Sequence, residues 1–139
     1  MKHSFKQSHG GRENHTSVKF KKDRTNDCAI RAIAHACDLP YVTVRDSLFD
    51  LAKEMWRMPN DNEVIERWMI KTFDIKRNSP LTHHGRKKYK IGNFPLEGIF
   101  IIRSSNHVTC IKDGVLMDTW DCRDWKAQSY YTIENGKNR

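Results

Sequence analysis

The stretch from His107 to Trp120 reads HVTCIKDGVLMDTW. Two runs of strand-forming residues flank Asp113-Gly114, a pair that accepts the positive φ angles of a two-residue hairpin turn. Such a turn pairs Lys112 with Val115. Counting outward puts Thr109 opposite Asp118 and His107 opposite Trp120. Side chains alternate between the faces of a strand, so His107, Thr109, Asp118 and Trp120 share one face. His107 and Asp118 are then diagonal neighbours, within reach of each other. A carboxylate beside an imidazole orients the ring and fixes its tautomer. Trp120, across from His107, is expected to shield that contact from water.

Further strands flank the hairpin. Gly98 to Arg103 (GIFIIR) precedes it, and Tyr130, Tyr131 and Ile133 supply one more run after it. Upstream the period changes to three and four. Ala29, Ile30, Ile33, Ala34 and Cys37 mark the apolar face of a helix that starts at Cys28 and stops before Pro40. Asn26 or Asp27 can cap it. A second helix is expected from Thr43, where TVRD forms a loose capping box, and a third after Asn60 or Asp61. Residues 74–93 are polar and aperiodic, which reads as a loop placed to form a substrate rim. Helices come first and an antiparallel sheet follows. The class is therefore α+β, with N-terminal helices packed on a C-terminal sheet.

A chain of 139 residues with 37% hydrophobic content holds one modest core. Residues 1–17 have few apolar side chains and are expected to be a disordered basic arm, leaving 18–139 as a single domain. The first residues are polar and basic, and no apolar run reaches membrane-spanning length, so a cytoplasmic protein without membrane contact is expected (host cytoplasm if it is viral). In that compartment Cys28, Cys37, Cys110 and Cys122 are reduced thiols, and the absence of a C-x-x-C pair argues against a structural zinc site, so no metal is expected. The net charge of +8 gathers in the arm and in Gly85 to Lys90 (GRKKYK). Those segments could engage nucleic acid or an acidic protein, although Tyr89 alone supplies the aromatic interleaving that single-strand binding favours.

Cys28 has two readings: a small buried apolar side chain, or a nucleophile. A helix N-terminus favours a thiolate, because its unpaired N–H groups and dipole stabilise negative charge. With the sheet packed on that helix, the chain offers a thiol, an imidazole and a carboxylate in complementary roles.

In this order, cysteine at a helix start, histidine opening a strand and Asn or Asp on the next strand, the chain resembles the papain-like cysteine peptidases. The second half carries the resemblance. In that family the histidine begins H-[AV]-V and the next strand ends in a pattern like N-S-W; here NHVTCIKDGVLMDTWD has His107 and then Asp118-Thr119-Trp120. The exchange of Asp for Asn is similar to compact bacterial and phage members, such as the peptidases that process bacteriocin leaders. NDCAIRAIA also resembles the ovarian-tumour-type deubiquitinases (D-G-N-C-[LF]-F-R-A-[IVL]) at Arg31 and Ala32. Their Asp three residues before the cysteine is Thr25 here, and the glutamine that papains carry six residues before it is Lys22.

The resemblance implies a cysteine peptidase or amide hydrolase that acts on a protein or peptide substrate without a cofactor. Cys28 attacks, His107 transfers protons and Asp118 orients His107, with Asp121 as the alternative third member. The Cys28 N–H and Asn26 are the implied oxyanion donors, although Asn26 serves equally as a helix cap. Arg31, one turn along the helix, is expected to bind Asp27 or Asp50. The rival reading is a catalytically inactive papain-like scaffold that binds nucleic acid or an acidic partner through its basic arm and loop.

Overall fold

A computed structural model describes residues 1–11 and 27–133 of the protein. Three helices lie on one face of a five-stranded sheet. They are α1 (Cys28–Cys37), α2 (Tyr41–Met55) and α3 (Asn62–Phe73). The sheet contains β1 (Ser4–Gln7), β4 (Ile99–Ser104), β5 (His107–Lys112), β6 (Val115–Asp118) and β7 (Ser129–Ile133), in the order β1-β6-β5-β4-β7. Between α3 and β4 lie a two-residue ladder of β2 (Thr82–His83) with β3 (Lys87–Lys88) and a 3-10 turn at Ile91–Asn93.

The α+β reading holds, with one change of topology. Ser4–Gln7 do not belong to a disordered arm. They pair in parallel with β6, Ser4 beside Val115 and Gln7 beside Asp118, so the sheet is mixed rather than antiparallel throughout. Composition misses this strand because it is short and lies at the edge, where Phe5 is its main apolar anchor. Residues 12–17 of the expected arm lie outside the described residues.

The hairpin forms in the expected register, with Lys112 opposite Val115 and Cys110 opposite Met117. Asp113 and Gly114 both have positive φ (51° and 86°). β6 ends at Asp118, two residues before the expected end. There the Asp118 Oδ1 accepts the Thr119 N–H at 2.7 Å and turns the chain out of the ladder. The second helix begins at Tyr41 rather than Thr43. Pro40 disfavours helix at Leu39 but suits the position before a first turn, and its carbonyl accepts the Val44 N–H at 3.1 Å. Asp61 caps α3 as expected, accepting the Glu63 N–H at 2.8 Å.

Strand alternation divides the core in two. On the helix side, Ile33, Val44, Leu48, Val64 and Met69 pack against Ile99, Ile101, Cys110 and Tyr131. Each such apolar side chain contributes about 1.5–3 kcal/mol by leaving water. On the other side, Phe100, Ile102, Ile111 and Leu116 are covered by Ile91, Phe94 and Cys122 from the connecting segments. His107 and Thr109 share the parity of Ile111. They sit at the end of the sheet where β1, β4 and β6 finish and β5 begins.

Candidate active site

Each residue of the site occupies the end of an element. Cys28 is the first residue of α1, His107 the first of β5 and Asp118 the last of β6. The first N–H groups of a helix have no acceptor within it, so the Cys28 thiol stands in a field that favours negative charge. Cys28 is half-buried; Cys37, Cys110 and Cys122 are buried. A cavity of about 230 Å³ opens over Cys28 and His107, between the Asn60 to Asn62 turn and the Arg103 to Val108 corner.

His107 Nε2 lies 2.7 Å from Asp118 Oδ2, and both side chains are buried. Burial alone would pull the imidazole pKa down. Burial is the largest single influence, but the Asp118 hydrogen bond, the contacts with the Cys122 and Cys28 thiols and the Asp118 charge together outweigh it and push the ring up from 6.5 to about 11. For Asp118, burial favours the neutral acid, but the His107 partnership holds the carboxyl below its usual range. The pair is therefore an imidazolium–carboxylate at neutral pH. With Nε2 committed to Asp118, Nδ1 is the nitrogen left to exchange a proton with Cys28. The Trp120 ring lies 5.0 Å from His107 and 5.2 Å from Trp125, over the pair. Trp120 is itself 38% exposed, so it covers the contact on one side only.

Arg31 joins the helix to this pair. Its guanidinium pairs with Asp27 through Nη1 and lies 3.6 Å from Asp118 Oδ1 through Nη2, with all three side chains buried. Asp27 also accepts the Tyr41 hydroxyl at 2.7 Å. Asp27 occupies the N-cap position of α1 but makes no side-chain cap bond, because its carboxylate turns to Arg31 and Tyr41 instead. Arg31 thus pairs with Asp27 and Asp118, and not with Asp50. The N-terminal segment braces the same place. The Ser8 N–H donates to the Asp118 carbonyl at 2.8 Å, and a Cβ on Gly10 (φ 69°) would stand 2.9 Å from the Arg31 Cα. Glycine is required there for both conformation and space.

The site thus brings together Cys28, His107, Asp118 and Trp120. Asn26 lies outside the described residues. Asp121 does not join: it is exposed and bonds Arg123, which holds its carboxyl below the usual range. Residues 74–93 do not form the rim of the cavity over Cys28. They contribute Arg77 to a neighbouring cavity of about 440 Å³ between α3 and the sheet. The Gly85 to Lys90 stretch is held elsewhere, with Lys88 bonded to Gln128. Sequence reasoning missed Cys122, whose thiol lies 3.6 Å from Asp118 Oδ2. It follows the end of β6, where strand parity no longer predicts direction. Compared with protein-family models, curated proteins and solved structures, the chain matches none of them.

Proposed function

We propose that the chain is a papain-like cysteine hydrolase acting on a peptide or isopeptide carbonyl. The observation that carries this reading is the buried His107–Asp118 pair, whose ring also contacts the thiol at the first position of α1. The Cys28 thiolate attacks the carbonyl carbon, and the π electrons of the carbonyl move to oxygen. The Cys28 N–H, at the helix start, faces the developing negative charge, and Asn26 is the expected second donor. His107 gives its proton to the leaving amine as the C–N bond breaks, which leaves a thioester. Water, deprotonated by His107, then attacks the thioester. The acid departs, and thiolate and imidazolium are restored. Asp118 keeps the ring oriented through both transfers, and Arg31 holds Asp118 to the helix that carries Cys28.

Alkylation by iodoacetamide, read at each cysteine by mass spectrometry, tests this. Cys28 should react much faster than Cys37 or Cys110, and should slow sharply in His107→Ala. Cys28 reacting no faster than Cys37 or Cys110, and indifferent to His107, would overturn the reading and leave the scaffold-binder alternative.

A further inference from the structure

Cys122 is a buried thiol for which the proposed reaction has no use. It packs beside the two groups that reaction most depends on. Its Sγ is 3.6 Å from Asp118 Oδ2, the oxygen that also meets His107 Nε2 at 2.7 Å. The His107, Asp118 and Cys122 donor atoms all lie within 4.8 Å of one another. Thr109 Oγ1 is buried, lies beside both Asp118 and Cys122, and makes no hydrogen bond of normal length.

We infer that His107, Asp118 and Cys122 form a site for a zinc-class divalent cation, and that occupying it shuts off the proposed hydrolase. One nitrogen, one carboxylate oxygen and one sulfur make a donor set that suits zinc. In a tetrahedral site, zinc bonds of about 2.1 Å to nitrogen and oxygen and 2.3 Å to sulfur place sulfur and oxygen about 3.6 Å apart, and nitrogen and oxygen about 3.4 Å. The Cys122–Asp118 spacing already fits. The His107–Asp118 spacing must open by about 0.7 Å, and the His107–Cys122 spacing, within 4.8 Å, must come to about 3.6 Å, both by side-chain adjustment on binding. Water or Thr109 Oγ1 takes the fourth position. Of the three donors, His107 borders the cavity over Cys28. On binding, the ion displaces the Cys122 thiol proton and the proton held between His107 and Asp118; both leave to solvent. The imidazole then binds metal through Nε2 and can no longer cycle a proton for Cys28. The inhibition rests on the proposed function; the metal site does not.

The test uses the full chain with cobalt(II) and zinc(II) ions. Cobalt should give a thiolate charge-transfer band at one ion per chain in the parent and in Cys28→Ser, and no band in Cys122→Ala. His107→Gln should also abolish the band, which keeps the test open if Cys122→Ala fails to fold. Zinc should slow Cys28 alkylation at least tenfold in the parent and leave Cys122→Ala alkylating as rapidly as before. A band that survives in Cys122→Ala, or that vanishes in Cys28→Ser, overturns the site. Rapid, His107-dependent alkylation of Cys28 without any cobalt band refutes the metal site alone. A Cys122-dependent band with an unreactive Cys28 refutes the hydrolase alone.

Discussion

Asp118 and Asp121 stand on the same short stretch of chain, and each holds a cation, yet their settings are opposite. Asp118 is 2% exposed and bonds a buried His107, with Arg31 behind it. The Asp121 side chain is 41% exposed and closes a local loop with Arg123. Water and salt screen the outer pair, so it holds little energy beyond fixing one surface turn. The inner pair is buried, so water and salt screen it far less. Losing one partner leaves an unpaired buried charge, and the network ties α1, β5, β6 and the N-terminal segment to one point. The charges are alike; burial decides which of them matter.

The contrast can be broken most severely at Asp118. Asp118→Ala should lower stability by about 3–5 kcal/mol in urea unfolding and cut Cys28 alkylation to the rate of an ordinary thiol. The stability gap between parent and Asp118→Ala should also depend on pH. Above about pH 6.5 it shrinks, since the raised His107 pKa is a benefit lost as pH climbs toward 11. Below about pH 3.8 it shrinks again, since the lowered Asp118 pKa is a benefit lost as the carboxyl protonates. A gap that stays flat from pH 3 to 9 would contradict the ion pair. Arg31→Ala comes next, at about 2 kcal/mol, because it strips a charged hydrogen bond from buried Asp27 and an ion pair from buried Asp118. Arg31→Lys should restore only part of this, since an ammonium lacks the planar fork. Gly10→Ala should cost about 1–2 kcal/mol through its left-handed φ and the clash with the Arg31 backbone, read as a lower melting temperature with slower alkylation. Asp121→Ala marks the quiet end of the series: urea midpoint, pH profile and alkylation should all match the parent. A large effect there would mean that the outer pair supports the inner one.

Much of the site was legible because strand parity is a strong constraint. Asp113-Gly114 fixed the register, and the register placed His107, Asp118 and Trp120 together without any knowledge of the rest of the fold. Cys28 was legible for a different reason, since the three-and-four apolar spacing that follows it marks where the helix begins. What escaped depends on distant packing. Arg31 could have met either of two acids near it in sequence, and it found Asp27 and a third, Asp118, that only the docking of α1 onto β6 supplies. Cys122 lies in an irregular segment with no period to aim it. β1 was hidden because an edge strand with one apolar anchor resembles a polar tail. The same weakness of local signals explains the early end of β6, where an Asp118 side chain competes with the ladder for the next N–H.

Ser4 pairs with Val115 and Gln7 with Asp118, so β1 and its partner strand β6 lie far apart in sequence. A pairing that spans nearly the whole chain closes a large loop, and its entropy must be met before any contact rewards it. β1 should therefore dock late in folding, onto a hairpin already formed. Until it does, the open edge of β6 is a template for other chains. The strand that finishes the sheet also delivers Ser8 to Asp118 and Gly10 to Arg31. Completion of the sheet and assembly of the candidate site thus become a single event, and a partly folded chain carries Cys28 without a braced His107–Asp118 pair beside it.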